Sequence, residues 1–283
     1  MSQNRGQGSQ PRVRAAPKLH GDDYFTLSRR PLHILVVLLP LVLVYEVLSV
    51  QYLVQRSTGM QQVIKAENLV GQFFDIFGVS GLLVPGLAML TVLLVWHLIS
   101  KDRWNIRVGV LVGMFVEALV WALPLLVLGA LVQRAQKQLL GSAAGQHMME
   151  AVAAAASAGS AVGADLHSLS WQARVSISLG AGLYEELVFR LIGIAALHLL
   201  FRDILRWNER LCDVLAVLGS AIAFAFYHDV FSGGAVPGAL NWGALTFYFL
   251  AGLYFAILYL GRGFGVVVLC HAAYDMIVLL GKW

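Results

Sequence analysis

Residues 31–54 read PLHILVVLLPLVLVYEVLSVQYLV, a run whose one carboxylate is Glu46. An α-helix rises ~1.5 Å per residue, so about 20 apolar residues cross the ~30 Å hydrocarbon core of a bilayer. This run is long enough to span. Working outward, further runs of that kind lie at 77–99, 108–132, 175–201, 211–230, 241–260 and 264–281. The reading is an all-α, multi-pass transmembrane bundle of seven helices. The runs are continuous rather than alternating, which excludes a strand barrel.

Composition agrees. Of 283 residues, 59% are hydrophobic and 13% charged, and the mean hydropathy is +0.74. A soluble domain carries roughly a quarter charged residues. A chain of this size cannot hide so much apolar surface in a water-soluble globule, and disorder is excluded by the same apolar mass. Cys212 and Cys270 both sit in apolar runs, so no disulfide framework is implied. The net charge of +4 gathers in a basic tail and short basic loops. That distribution suits a membrane topology and gives no reason to expect nucleic acid as a partner.

The chain divides into four stretches. Residues 1–30 hold Arg5, Arg12, Arg14, Lys18, Arg29 and Arg30 among Gln, Ser, Gly and Pro, and read as a disordered basic cytoplasmic tail rather than a cleaved signal peptide. Residues 31–140 carry the first three spans. Residues 141–174, with AVAAAASAGSAVGA at 151–164, read as an outer loop or amphipathic helix; full insertion would make eight spans and reverse the orientation of the later ones. Residues 175–283 carry the remaining spans. With the N-terminus inside, the inner segments hold the six tail residues with Lys101, Arg103, Arg107, Arg202, Arg206, Arg210 and Arg262. The outer ones hold Arg56, Lys65, Arg134, Lys137, Arg174 and Lys282. The bias puts the N-terminus in the cytoplasm and the C-terminus outside, in what is expected to be a bacterial inner membrane.

A charge near the bilayer centre costs ~2.5–3.5 kcal/mol even on the lenient insertion scale, so charged residues within spans need a reason. The fourth span holds GLYEELVFR at 182–190. Glu186 and Arg190 are four apart and share a helix face, as an ion pair would. Glu185 projects about 100° away, and a second carboxylate is surplus to one arginine. The small and polar side of this helix (Ser178, Ala181, Gly182, Phe189, Gly193) is expected to face protein, and the stripe of Leu183, Leu187, Leu191 and Ile194 lipid. The fifth span ends AFAFYHD, with Phe224 and His228 four apart. The seventh holds CHAAYD, with His271 and Asp275 four apart. A lone histidine in a span is most often a satisfied core residue, but two of them with a spare Glu and an Asp on three late spans ask for a shared site. Amide hydrolysis needs a base for water, donors for the oxyanion and a proton for the leaving amine, and these residue types can supply all three.

Taken in order, EExxxR at 185–190, FxxxH at 224–228 and HxxxD at 271–275 resemble the motifs of the CAAX-protease and bacteriocin-processing (CPBP or Abi) family, which includes the type II CAAX prenyl endopeptidases. The resemblance covers residues 175–281. It implies a glutamate-dependent intramembrane endopeptidase with no metal cofactor, acting on a membrane protein or lipid-associated peptide. In that pattern Glu185 and His228 activate water, His271 and Asp275 stabilise the oxyanion, and Glu186, Arg190 and Phe224 support the site. Prenyl endopeptidases carry Asn where this chain has Asp275. Aspartate donates a hydrogen bond only when protonated; if ionised, it would orient His271 or a water instead.

Four other readings compete. Glu185, His228, His271 and Asp275 would also make a zinc set, although HExxH is absent. GVSG at 78–81 resembles the GxSG of rhomboid serine proteases, with Ser80 as nucleophile, but no histidine follows in the matching context. Glu46 and Glu117, on the first and third spans, would suit an ion path in a transporter, yet the halves show no repeat symmetry. Absent a path, they hydrogen bond within the bundle. A non-catalytic scaffold or immunity protein of the same family is the remaining alternative. Substrate identity and oligomeric state are not written in the sequence.

Overall fold

The computed structural model describes residues 23–53, 65–81, 83–141, 169–228, 230–231 and 240–281. Helices are the regular elements of these residues, with no strand among them. A one-turn helix α1 (Tyr24–Leu27) precedes α2 (Pro31–Leu48), which runs on through a π turn to Leu53. Then come α3 (Lys65–Asp75), α4 (Val84–Ile99) and α5 (Val108–Leu140). Helix α6 covers 171–204, followed by α7 (Glu209–Tyr227), α8 (Trp242–Arg262) and α9 (Phe264–Leu280). Pro31–Leu53, Val108–Leu139, Glu209–Tyr227 and Trp242–Arg262 are long and apolar enough to cross a membrane alone, while α4 and α9 are shorter apolar helices. The chain is an integral membrane protein built as a helix bundle. The second span begins later than the sequence suggests, because 76–78 form a turn and 79–81 no regular element, with Gly78 and Gly81 at positive φ (74° and 148°).

Long-range bonds sort the helix ends into two groups. At one end Arg29 donates to the Leu260 carbonyl (2.9 Å), Arg30 pairs with Asp102 (3.3 Å), and the Arg107 N–H donates to His33 Nε2 (3.3 Å). The start of α2, the end of α4, the start of α5 and the end of α8 therefore meet there. At the other end the Ala66 N–H donates to the Tyr227 hydroxyl (2.7 Å), Gln136 donates to Asn241 (3.4 Å), and Arg174 to the Leu279 carbonyl (2.9 Å). Since α5 finishes and α6 begins at this same end, these two helices run in opposite directions. Most of the Ala/Gly-rich stretch itself lies outside the described residues, as do residues 1–22.

Helix α9 is the centre of the bundle. Every residue from Phe264 to Ala272 is buried, because α2, α5, α6 and α8 all pack on it. Gly263 (φ 86°) reverses the chain between α8 and α9 with a single residue, a left-handed conformation that favours glycine. Helix α6 lies equally deep. Leu183, Leu187 and Ile194, expected to face lipid, are 0–4% exposed. The stripe is covered because α6 is enclosed on several sides, with α2, α3 and α9 against its first half and α7 and α8 against its second. Leu191, of the same stripe, is half-buried, and its neighbour Ile192 is 52% exposed.

Candidate active site

Helix α6 starts conventionally, with the Ser170 hydroxyl accepting from the Ala173 N–H (3.3 Å) as its N-cap. From Ala181 to Glu185 and again from Leu187 to Ile194 it widens into π-helical turns. Such turns are rare and collect at functional sites. They alter the ~100° step between neighbours and leave carbonyls without the usual i+4 partner. One of these, that of Phe189, accepts from the Ser220 hydroxyl on α7 (2.8 Å).

Two glycines let the helices close on the site. A Cβ on Gly182 would sit 2.8 Å from the Ala272 Cβ and N and from the Val268 carbonyl. A Cβ on Gly252 would lie 3.0 Å from the Ala221 Cα. The first approach brings the glutamates of α6 against His271 of α9; the second brings α8 against α7.

The four expected residues and their three supports do come together. Glu186 and Arg190 form a fully buried pair, Nε to Oε2 3.1 Å. Arg190 also donates to the Gly252 carbonyl (3.3 Å), and its guanidinium lies 4.3 Å from the Phe224 ring centroid. Phe224 thus joins the arginine to the histidines, its ring 4.5 Å from that of His228 and 6.0 Å from that of His271. Glu186 does more than hold its own helix. Its Oε1 accepts from His271 Nδ1 at 2.7 Å, a bond joining α6 to α9 that the motif spacing alone does not reveal.

His228 differs from expectation in one respect. Helix α7 ends at Tyr227, and His228 is extended (φ −76°, ψ 157°), so it is a C-cap and not a member of the helix face. Its ring folds back nonetheless, with Nδ1 2.8 Å from the Phe224 carbonyl. A carbonyl only accepts, so Nδ1 carries the hydrogen, and Nε2 is left as the free nitrogen. That Nε2 lies 3.6 Å from Glu185 Oε2. His271 Nε2 lies 4.0 Å from the same oxygen and 3.6 Å from Asp275 Oδ2. Tyr248 stacks on His228 (3.9 Å, 19°) and Phe255 on His271 (4.5 Å, 23°), fixing both ring planes.

Sequence reading passed over Tyr248, Phe255, Gly252 and Ser220. Glycine at 182 was the one visible signal, read as a small residue facing protein but not as the contact that sets the depth of approach.

Residues 167–277 match the family model for type II CAAX prenyl endopeptidase Rce1-like proteins. This segment, less than half of the chain, is similar to the Rce1-like family. No curated protein and no solved structure matches the chain. The matched segment holds all three motifs and the whole carboxylate–histidine cluster, while α2 to α5 lie outside it. The Rce1-like domain is that of a family of CAAX-type membrane proteases.

The remaining candidates lie elsewhere. Ser80 is exposed in the turn before α4, in a cavity whose lining includes Glu67 and Asp75 but no histidine. Glu46 accepts from the Tyr184 hydroxyl (3.1 Å). Glu117 binds Arg262, Tyr24 and Trp121. Both carboxylates are hydrogen bonded inside the bundle, the second through an arginine that sequence alone assigns to a loop.

Proposed function

We propose that the protein is an intramembrane endopeptidase that hydrolyses a peptide bond in a membrane-associated protein or peptide, with Glu185 as general base. One observation carries this reading: Glu185 faces both imidazoles, Oε2 at 3.6 Å and 4.0 Å from their Nε2 atoms, while the arginine of its motif is bound to Glu186. Those separations are too long for direct hydrogen bonds and short enough for one water to touch carboxylate and imidazole together.

The chemistry derives from the donors and acceptors. His228 Nε2 and Glu185 Oε2 both accept, so together they hold the two hydrogens of a water and turn its lone pair toward a carbonyl carbon. Glu185 takes the proton as the C–O bond forms, then delivers it to the amine as the C–N bond breaks. His271 donates through Nδ1 to Glu186; as an imidazolium it donates through Nε2 as well, toward the oxyanion. Asp275 lies beside that nitrogen and serves either as a second donor, when protonated, or as its orienter. Glu186 and Arg190 hold His271 and α6 in register. Burial in a bundle excludes bulk water and strengthens each of these contacts.

The same reading takes a membrane-associated protein or peptide as substrate and the bilayer as surroundings. The Lys and Arg bias supports a cytoplasmic N-terminus, and the reading places the protein in a bacterial cell membrane. The test compares membrane proteomes of cells carrying wild type and Glu185→Ala. A peptide cut only in the wild type supports the proposal. Identical proteomes with equal protein levels favour a scaffold or immunity role. Activity lost in chelator and restored by zinc would replace the glutamate mechanism with a metal one.

A further inference from the structure

Helix α3 does not belong to the Rce1-like segment, yet it touches both catalytic helices. The N–H of Ala66, a residue with no exposed surface, donates to the hydroxyl of Tyr227, whose ring lies 5.2 Å from that of its neighbour His228. Glu67, 2% exposed, accepts from the hydroxyl of Tyr45. Tyr45 in turn packs edge-on against Tyr184, centroids 5.3 Å apart, and Tyr184 precedes Glu185. One turn of α3 is therefore pinned by two tyrosine bonds against the residues next to Glu185 and His228.

Beyond that turn lies a cavity of about 430 Å³, lined by Glu67, Asn68, Gln72, Asp75 and Ser80 among others. The rest of α3 shows Leu69 and Phe73 half exposed, as a helix lying at a membrane surface does. Glu185 and His271 are only 6% and 4% exposed, and the His228 and Asp275 side chains 18% and 21%. Hydrolysis consumes a water per turnover, and Glu67, which lines this cavity, is also held by one of the two tyrosine bonds that pin α3 beside the site.

We propose that the first turn of α3 is a gate between this cavity and the Glu185–His228 centre, held shut by Ala66–Tyr227 and Glu67–Tyr45 and opening when those two bonds break. Open, it admits water and the polar backbone of a peptide. The need for water rests on the protease reading; the gate itself does not, so it is tested without turnover.

The probe is a charged, membrane-impermeant methanethiosulfonate reagent, with Cys212→Ala and Cys270→Ala as background. The thiol introduced by Asn68→Cys, on the cavity wall, reacts fast in every variant. That introduced by Glu185→Cys reacts slowly with both tyrosines intact, and at least tenfold faster when Tyr45→Phe and Tyr227→Phe remove the two bonds. Ala66→Pro, which removes the donor instead of the acceptor, gives a rise of its own and serves if the double variant is poorly folded. Equal rates for the two thiols with the tyrosines intact, or a slow Glu185→Cys thiol in both folded untethered variants, overturn the gate. An inactive wild type with gated labelling would refute the protease reading and leave the gate standing.

Discussion

The carboxylate–arginine group at Glu117 and the one at Glu186 are built differently. Near the N-terminal end, Glu117 on α5 meets Arg262 at the end of α8. Its Oε1 also accepts from Trp121 (3.1 Å) and its Oε2 from Tyr24, while Arg262 donates to Ser28 (3.1 Å) as well. One carboxylate matches one guanidinium, and both oxygens are taken. In the cluster of Glu185, Glu186, Asp275 and the two imidazoles, by contrast, the arginine is bound by Glu186. Glu185 has long contacts to two imidazoles, and among the described residues its Oε2 has no hydrogen-bond partner. A charge group that closes on itself locks helices together. One with a carboxylate in surplus, ringed by imidazoles, has a group left over to react.

The comparison is broken most readily through activity. Glu185→Gln is expected to lower cleavage at least 100-fold, the range for a lost general base, with folded yield near normal. Glu186→Gln and Arg190→Ala lose yield too, since breaking one side of a buried pair costs ~3–5 kcal/mol. Equal yield losses in all three, measured by size-exclusion of solubilised protein, would erase the division of roles.

Asp275 sharpens it next. As a neutral donor it is replaced well by Asn, whose amide donates at any pH, while Asp275→Ala costs roughly 100-fold. Cleavage rate against pH for the three proteins decides, and a folded but inactive Asn variant assigns Asp275 to orienting His271. Gly182→Ala has a smaller effect. Its methyl must displace α6 from α9, destabilising by ~1–3 kcal/mol and lengthening the Glu186–His271 bond. A variant that melts like wild type would show that the close approach at Gly182 is not what sets the site.

The smallest effect concerns Glu67 on α3, outside the spans. Burial is the largest influence and Glu46 adds to it, while the Tyr45 bond opposes; the carboxyl rises from 4.5 to about 7. The folded state thus holds this proton more tightly than the unfolded chain does. The contribution of Glu67 to stability is full below pH 4.5 and is lost as pH rises through 7. Subtracting the melting curves of Glu67→Gln from those of wild type across that window isolates it, and a wild type that gains on the variant as pH rises would contradict the assignment.

Much of this was legible in the residues. The spans follow from the length of apolar runs, and the motif residues from the cost of placing ions among them. What was not legible depends on three-dimensional neighbours. Whether the Leu183 stripe meets lipid or protein is decided by how many helices surround α6, which periodicity does not record. The His271–Glu186 bond joins residues far apart in sequence on helices whose rotation is set by π turns. His228 kept its expected partner, Phe224, although it stands outside the helix, because a ring bonded to the carbonyl four residues back reaches the place that helical spacing predicts. Arg262 sits at a helix end, where a sequence count assigns it to a loop, and only packing shows it buried against Glu117.

The most direct test of the central claim sets Glu185→Gln beside Glu117→Gln, measuring cleavage of one membrane peptide and thermal unfolding on the same preparations. The account predicts that Glu185→Gln abolishes cleavage with little change in melting temperature, and that Glu117→Gln lowers the melting temperature while the folded fraction still cleaves. Cleavage surviving Glu185→Gln in a normally folded protein would contradict it.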